Sequence, residues 1–428
     1  MQEDSPWSDR IGKVFFMGLR STSTRYLYLC TEPPSNNVII SQVVEYLTDL
    51  RASGIEFRLV FPLDWGHYRK RQNDAALYAA IRQKVADVIC LPAPLKSTSL
   101  GMAWITTLLR PILLRIPGPQ PIIIHARNIW CACVAAKLQA ADKRVRFICD
   151  VRGDSIAERD FMSQQAGVSQ QVMQAQREML LGREAFALAH AGRVSCVSAS
   201  LKQRLVDRHK IDPDKVVVIP CCASRQRFYF DPAIRQSVRE KLGVQDKKVF
   251  IYAGALNAYH CGPRMLDIMR EMMAINDDAF FILLSPAAQA ISQTVASALP
   301  AGRYIVKQAA PAEVPEHLMA ADMGILLEEN HPRNVVGPPV KFAEYTMTGL
   351  PILMSEYIGD GSRWIRDNDF GMVVTDDLPP DQCAQRANAY LEGSCQDRRG
   401  EMAQLAASSF SKETYLPALL ALYRQLGA

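Results

Sequence analysis

No stretch of the chain reaches the eighteen or so uninterrupted apolar residues that a bilayer-spanning helix needs, so no such helix is expected. The opening residues, MQEDSPWSDR, are acidic and polar, and the apolar run at 14–19 is too short for the core of a secretory signal. Residues 1–25 read as a loosely held leader, and a cytoplasmic location is expected. The eleven cysteines include no C-x-x-C pair. Cys131-x-Cys133 and Cys221-Cys222 are not zinc spacings, so free thiols in a reducing compartment are the expectation. No G-x-G-x-x-G follows the strand that opens either half of the chain, which disfavours an oxidoreductase built on a dinucleotide fold. Repeats and low-complexity tracts are missing too. Excess charge is small: 49 Lys and Arg against 44 Asp and Glu leave +5, which permits an anionic substrate or a membrane surface without pointing to nucleic acid. What remains is an ordinary globular composition, 49% hydrophobic and 22% charged. At 428 residues the chain is long enough for two or three domains.

The most informative stretch is 321–356, ADMGILLEENHPRNVVGPPVKFAEYTMTGLPILMSE. Its apolar run 323–327 predicts a buried parallel strand, 328–337 a polar loop, and Pro338-Pro339 the start of a helix. Gly349 closes that helix, and 351–354 begins another strand. Lys341 and Glu344 stand three apart and share a helical face. A helix start offers unpaired amides and the positive end of its dipole, and Lys341 adds a full charge, so the place suits phosphate. Glu344, a turn further in, can accept hydrogen bonds from a diol such as ribose. The combination suits a nucleotide diphosphate.

The pattern P-x-K-x-x-E-Y-x-x-x-G-x-P, here Pro339, Lys341, Glu344, Tyr345, Gly349 and Pro351, resembles the nucleotide-binding signature of retaining GT-B glycosyltransferases of family 4. The resemblance implies two doubly wound, Rossmann-like α/β domains facing a cleft. It also implies that Glu344 holds the ribose of a sugar nucleotide and that the helix start at Pro339–Lys341 holds its diphosphate. Many members carry a second Glu eight residues earlier, in contact with the donor sugar. Position 336 is Val in this chain, so either a neighbour such as Glu328 or Glu329 substitutes or the sugar is held differently. The plainer alternative is an ordinary βαβ unit with an incidental surface Lys and Glu.

Along the N-terminal half, 26–30 predicts a first strand, 31–37 a turn-rich loop that includes Ser35, 38–52 a helix stopped by Gly54, and 55–61 a second strand. That is the opening of a doubly wound sheet, whose strand ends bind ligands. The basic run Tyr68-Arg69-Lys70-Arg71 reads as a solvated face, with contact to an anionic lipid or glycan phosphate as the alternative. Residues 74–85 predict a helix and 87–91 a strand. The apolar segment 100–116, broken by Arg110, Pro111 and Arg115, reads as a core-packed helix or as an amphipathic helix at a membrane interface. Strands at 121–124 and 146–149 lead into His125-Ala126-Arg127 and Asp150-Val151-Arg152-Gly153, with Glu158 beyond. These clusters are similar to the H-A-R and D-x-R-G features of bacterial members of the family. His125, Arg127 and Arg152 are therefore expected to act at the reacting groups, with Ser35, Asp150 and Glu158 on the acceptor side. Arginines at strand ends offer forked donors to phosphate or sugar hydroxyls. A long helical region at 163–191, a strand at 193–197, a helix capped by Ser198 and Ser200, and a strand at 215–219 complete this half. Ile219-Pro220-Cys221-Cys222, followed by Arg227-Phe228, resembles the family's interdomain linker.

The second half restarts the pattern, with a strand at 249–253 and a turn Gly254-Ala255-Leu256-Asn257 like the family's G-x-L segment, which backs onto the donor diphosphate. Arg264 is the expected downstream cation. The expected domains are 1–220, with a final helix 405–428 packing back on it, and 221–404, which binds the nucleotide. The expected activity is metal-independent, retaining transfer from a nucleotide diphosphate sugar to a hydroxyl on a glycan or lipid-linked acceptor in bacterial polysaccharide assembly. No D-x-D metal site is read and no cofactor is expected beyond the co-substrate. A sugar-nucleotide epimerase, or a non-catalytic subunit that binds a partner transferase or glycan, is the alternative.

Overall fold

The computed structural model describes residues 24–256 and 260–427. Contacts divide the chain into two compact units, one of 1–196, 202–218 and 416–428, the other of 197–201 and 219–415. The stretch that returns to the first unit thus starts at Leu416, while the helix Arg399–Phe410 lies within the second.

In the first unit β1 (Tyr26–Leu29), β2 (Phe57–Leu63), β3 (Asp87–Pro92), β4 (Ile122–Arg127), β5 (Val145–Val151), β6 (Arg193–Cys196) and β7 (Val216–Val218) form a parallel sheet in the order β3-β2-β1-β4-β5-β6-β7. In the second, β8 (Lys248–Ala253), β9 (Ala279–Leu284), β10 (Tyr304–Lys307), β11 (Met323–Leu326), β12 (Ile352–Ser355) and β13 (Gly371–Val374) form another, in the order β10-β9-β8-β11-β12-β13. Helices cover both faces, so the strands are buried on both and read as continuous apolar runs. Alternation along β8 shows the two layers: Phe250 and Tyr252 join one core, Val249, Ile251 and Ala253 the other. In each sheet the order reverses once, between β1 and β4 and between β8 and β11. Loops leaving the strands there diverge and open a crevice.

Several boundaries differ from the sequence reading. Strands β4 and β5 run on through Arg127 and Val151, so His125, Arg127 and Asp150 lie within strands, not after them. Their polarity suggests a strand end, but each is buried among polar partners from neighbouring elements. The region 163–191 is two helices, Ser155–Gln165 and Gln170–His190, separated by Gly167 in the left-handed conformation. The helices Ile129–Ala141 and Pro232–Leu242 have no counterpart in the sequence reading. Ile129–Ala141 is almost wholly buried and lacks the polar face on which helical periodicity depends. The segment 100–116 is the helix Ser99–Leu114, whose Met102, Ile105, Leu108, Leu109, Ile112 and Leu113 pack into the core, leaving Leu100, Trp104 and Leu114 exposed. Among the described residues no helix is long and apolar enough to cross a membrane.

Candidate active site

The 321–356 stretch folds as strand, loop, helix and strand. The helix is Val340–Met347, with Pro339 at its N-cap and no side chain capping its first amides. Its far end is fixed by Arg399, buried, whose guanidinium donates to the carbonyls of Gly349 (2.8 Å), Ala321 (2.7 Å) and Thr348 (3.3 Å). Gly349 takes φ +64°, and a Cβ there would stand 2.4 Å from the Arg399 carbonyl oxygen, so only glycine closes this helix without strain. Tyr345, fully buried, accepts a hydrogen bond from the Ala253 amide at 2.8 Å and locks the helix to the end of β8.

That lock brings Lys341 onto the turn after β8. A Cβ on Gly254, at φ +148°, would lie 2.4 Å from Lys341 Cε. The Lys341 ammonium donates to the Tyr252 hydroxyl at 2.7 Å and stands 3.5 Å from His260 Nε2, and Tyr252 donates in turn to the Ala255 carbonyl at 2.7 Å. Burial pushes Lys341 down to about 8, opposed by the nearby Glu328 and Glu344. Burial likewise brings His260 down to about 3, with Lys341 and Arg333 adding to the effect, so its ring is neutral at pH 7. Glu328, just past β11, is pushed up to about 7 by burial against the pull of Lys341 and Arg333. Glu344 is half-buried on the Lys341 face of the helix. A buried ammonium, open helix amides and a glycine turn therefore meet at the reversal between β8 and β11, where an anion is best received.

The first unit carries a second polar cluster at its own reversal. His125 stacks on Tyr28, rings 4.4 Å apart and 10° from parallel. Its Nδ1 is 2.8 Å from the Tyr423 hydroxyl, and Nε2 is 3.4 Å from Asp150 Oδ2. Asp150 also lies 3.8 Å from Arg127 and 3.7 Å from Arg152, and accepts from Ser195 Oγ at 2.9 Å. Burial disfavours its charge, but Arg152, His125 and Arg127 together hold the carboxyl below its ordinary range. Arg127 reaches Glu32 at 3.3 Å, and Asn128 donates to Thr31 Oγ1 at 2.7 Å, joining the ends of β1 and β4. His125 and Arg127 are buried; Arg152 is the most open cation of the cluster.

Residues 39–222 match the family model of the glycosyl transferase 4-like domain. A curated relative, D-inositol 3-phosphate glycosyltransferase of Geodermatophilus obscurus, is 25% identical over 263 residues, 58% of this chain and 55% of that protein. The matching region thus spans about half the length of the relative. Anabaena HepE, solved with UDP and glucose, superposes with TM-score 0.68 at 13% identity, over 94% of this chain and 99% of that one. Sucrose-phosphate synthase from Thermosynechococcus elongatus gives 0.68 at 15% identity, over 94% and 98%. The chain has the GT-B glycosyltransferase fold. Residues 39–222 are thus similar to a glycosyl transferase 4-like domain, on a chain with the GT-B fold.

Against the GT-B expectations, the structure brings Gly254, Pro339, Lys341 and Glu344 together in one place. It also gathers His125, Arg127, Asp150 and Arg152 in another. Arg264 goes elsewhere: its guanidinium pairs with Asp376 at 3.1 Å and donates to the Thr375 and Leu378 carbonyls, pinning the turn after β13. Ser35 and Glu158 are exposed. Asn257 lies outside the described residues. Val336, where the family signature carries Glu, is fully buried, and its carbonyl accepts from Ser198 Oγ, of the same unit, at 2.6 Å. Sequence reasoning missed Tyr252, His260 and Tyr423, because none belongs to the motif and each reaches the site only through the fold. Among the described residues no group of three or more His, Cys, Asp or Glu is placed to hold a metal ion.

Proposed function

We propose that the protein transfers a sugar from a nucleotide diphosphate sugar to a hydroxyl acceptor. The second unit holds the donor, with the diphosphate at the first amides of the Val340–Met347 helix and at Lys341, and the ribose at Glu344. The observation that carries this reading is the Lys341 ammonium folded onto the Gly254 turn beside an uncapped helix start. In such a reaction the bond between the anomeric carbon and the phosphate oxygen breaks as the acceptor oxygen bonds to that carbon, and the acceptor proton passes to the departing diphosphate or to water. Charge develops on the diphosphate, and fixed donors aimed at it lower the barrier. Lys341 and the helix amides supply them from this chain's own residues.

In the first unit Arg152 faces the acceptor or donor sugar, while His125 and Arg127, both buried, fix the Asp150 that orients it. Retention of configuration and work on a glycan or lipid-linked acceptor are proposed from the family likeness. The exposed Leu100, Trp104 and Leu114 offer apolar contact for such an acceptor or its membrane. Thermal shift against a panel of sugar nucleotides identifies the donor, since a ligand stabilises the fold in proportion to its affinity. Incubation of that donor, labelled in the sugar, with candidate acceptors then shows transfer, and NMR of the product reports the anomeric outcome. Donor binding without transfer to any acceptor would favour a non-catalytic binding subunit, a reading to which Val336 at the family's Glu position lends weight.

A further inference from the structure

We propose that Glu328 accepts hydrogen bonds from the hydroxyls of the donor sugar, in place of the acidic residue that the family signature carries at position 336. This rests on the donor-site reading above and names the group that recognises the sugar rather than the nucleotide.

Position 336 cannot do it. Its side chain is apolar and 0% exposed, packed away where no ligand hydroxyl reaches. Of the two acidic residues earlier in the loop, Glu329 is the more open, and its main-chain carbonyl is taken by the Asn334 side chain at 2.8 Å. Glu328 differs on each point. It follows β11, which pairs with β8 at the reversal of strand order, so it stands at the crevice beside the Gly254 turn. Its amide donates to Ser355 Oγ at 3.0 Å, which anchors its backbone to the end of β12. It is only 4% exposed, yet among the described residues no hydrogen bond reaches its carboxylate. Lys341 and Arg333 are the cations that act on it, and the Lys341 ammonium is turned to the Tyr252 hydroxyl and His260.

A carboxylate so placed, with no hydrogen bond to a described residue, has acceptor positions open to a donor that enters the crevice. A diphosphate held at Lys341 would repel the carboxylate, so the group that meets Glu328 must be the neutral, hydroxyl-bearing part of the donor. A sugar ring attached to that diphosphate presents such O–H donors, the nearest on the carbon next to the anomeric one.

The test is calorimetric binding of UDP, GDP, ADP and dTDP, each beside its glucose conjugate, to the unsubstituted protein and to Glu328→Gln. Gln keeps the volume but loses the charge and half of the acceptor capacity. For the base that binds, the variant should hold the nucleoside diphosphate as well as the parent or more tightly, because a like charge near the anion is gone. The sugar nucleotide should bind roughly tenfold or more weakly, the loss of a hydrogen bond to a charged group. Glu328→Asp, which keeps the charge but draws it back by a methylene, should show the same selective loss, and its thermal melt controls for folding. Equal shifts for both ligands, or no shift for either, would overturn the proposal and leave the donor site standing. Failure of the unsubstituted protein to bind any of the nucleoside diphosphates would bring down the donor-site reading and this proposal together.

Discussion

Replacing Lys341 with Met removes the ammonium at the proposed diphosphate site while keeping the unbranched stem that lies on Gly254. A hydrogen bond from a charged donor contributes roughly 1.5–3 kcal/mol, so Kd for a nucleoside diphosphate should rise about tenfold to 150-fold. The variant also loses the larger of the two cationic pulls on Glu328, leaving that of Arg333. The Glu328 carboxyl, already pushed up to about 7, must then move higher. A group whose folded pKa is raised contributes stability that is complete below its unfolded pKa and is lost as pH rises through the folded one. K341M should therefore melt close to the parent near pH 5, and should tolerate pH 7–8 better than a fixed buried anion would, because Glu328 stays protonated further up the scale. Isothermal calorimetry with UDP, or with whichever nucleoside diphosphate the protein binds, gives the first quantity, and thermal melts across pH 5–8 give the second. A Kd within about threefold of the parent, in a variant that melts normally, would refute the placement of the diphosphate at this ammonium.

The same lysine sets a pH limit. Since burial brings Lys341 down to about 8, affinity for the diphosphate should fall by up to ~10-fold per pH unit above that value. Gly349→Ala should destabilise the second unit by at least ~1–2 kcal/mol from the left-handed backbone alone, with the Arg399 carbonyl adding to it, measured by urea unfolding. In the first unit, Asp154→Ala should cost about 1.5–3 kcal/mol in the same assay, because Asp154 accepts from Arg204 at 2.9 Å and Arg208 at 2.8 Å. Tyr423→Phe removes the hydrogen bond at His125 Nδ1, worth about 0.5–1.5 kcal/mol. Turnover should fall roughly two- to tenfold with donor Kd unchanged, and a change in donor Kd instead would place Tyr423 outside the acceptor-side cluster.

Much of the fold is legible because the sheets are parallel and covered on both faces. Their strands are short, continuous apolar runs, and the turns between them are marked by Gly and Pro. The proposed donor site is legible for a related reason: Pro339, Lys341, Glu344 and Gly349 lie on one local strand–helix unit, where spacing along the chain is spacing in space. The second cluster is less so. His125 and Asp150 can be buried inside β4 and β5 only because Tyr28, Ser195 and Tyr423 come from strands and a helix far away in sequence. Read along the chain, they look like strand ends.

Taken alone, the order of residues settled the α/β architecture and the helix that begins after Pro339, and it suggested the ligand proposed for that N-terminus, since each depends on neighbours within a few positions. Only the tertiary structure decided that Lys341 lies on the turn after β8, that Arg264 serves the turn after β13, and that Glu328 rather than position 336 presents a buried carboxylate at the crevice. These are matters of which strand lies beside which. The reversal of order between β8 and β11 brings together segments about seventy residues apart, and no local periodicity encodes that.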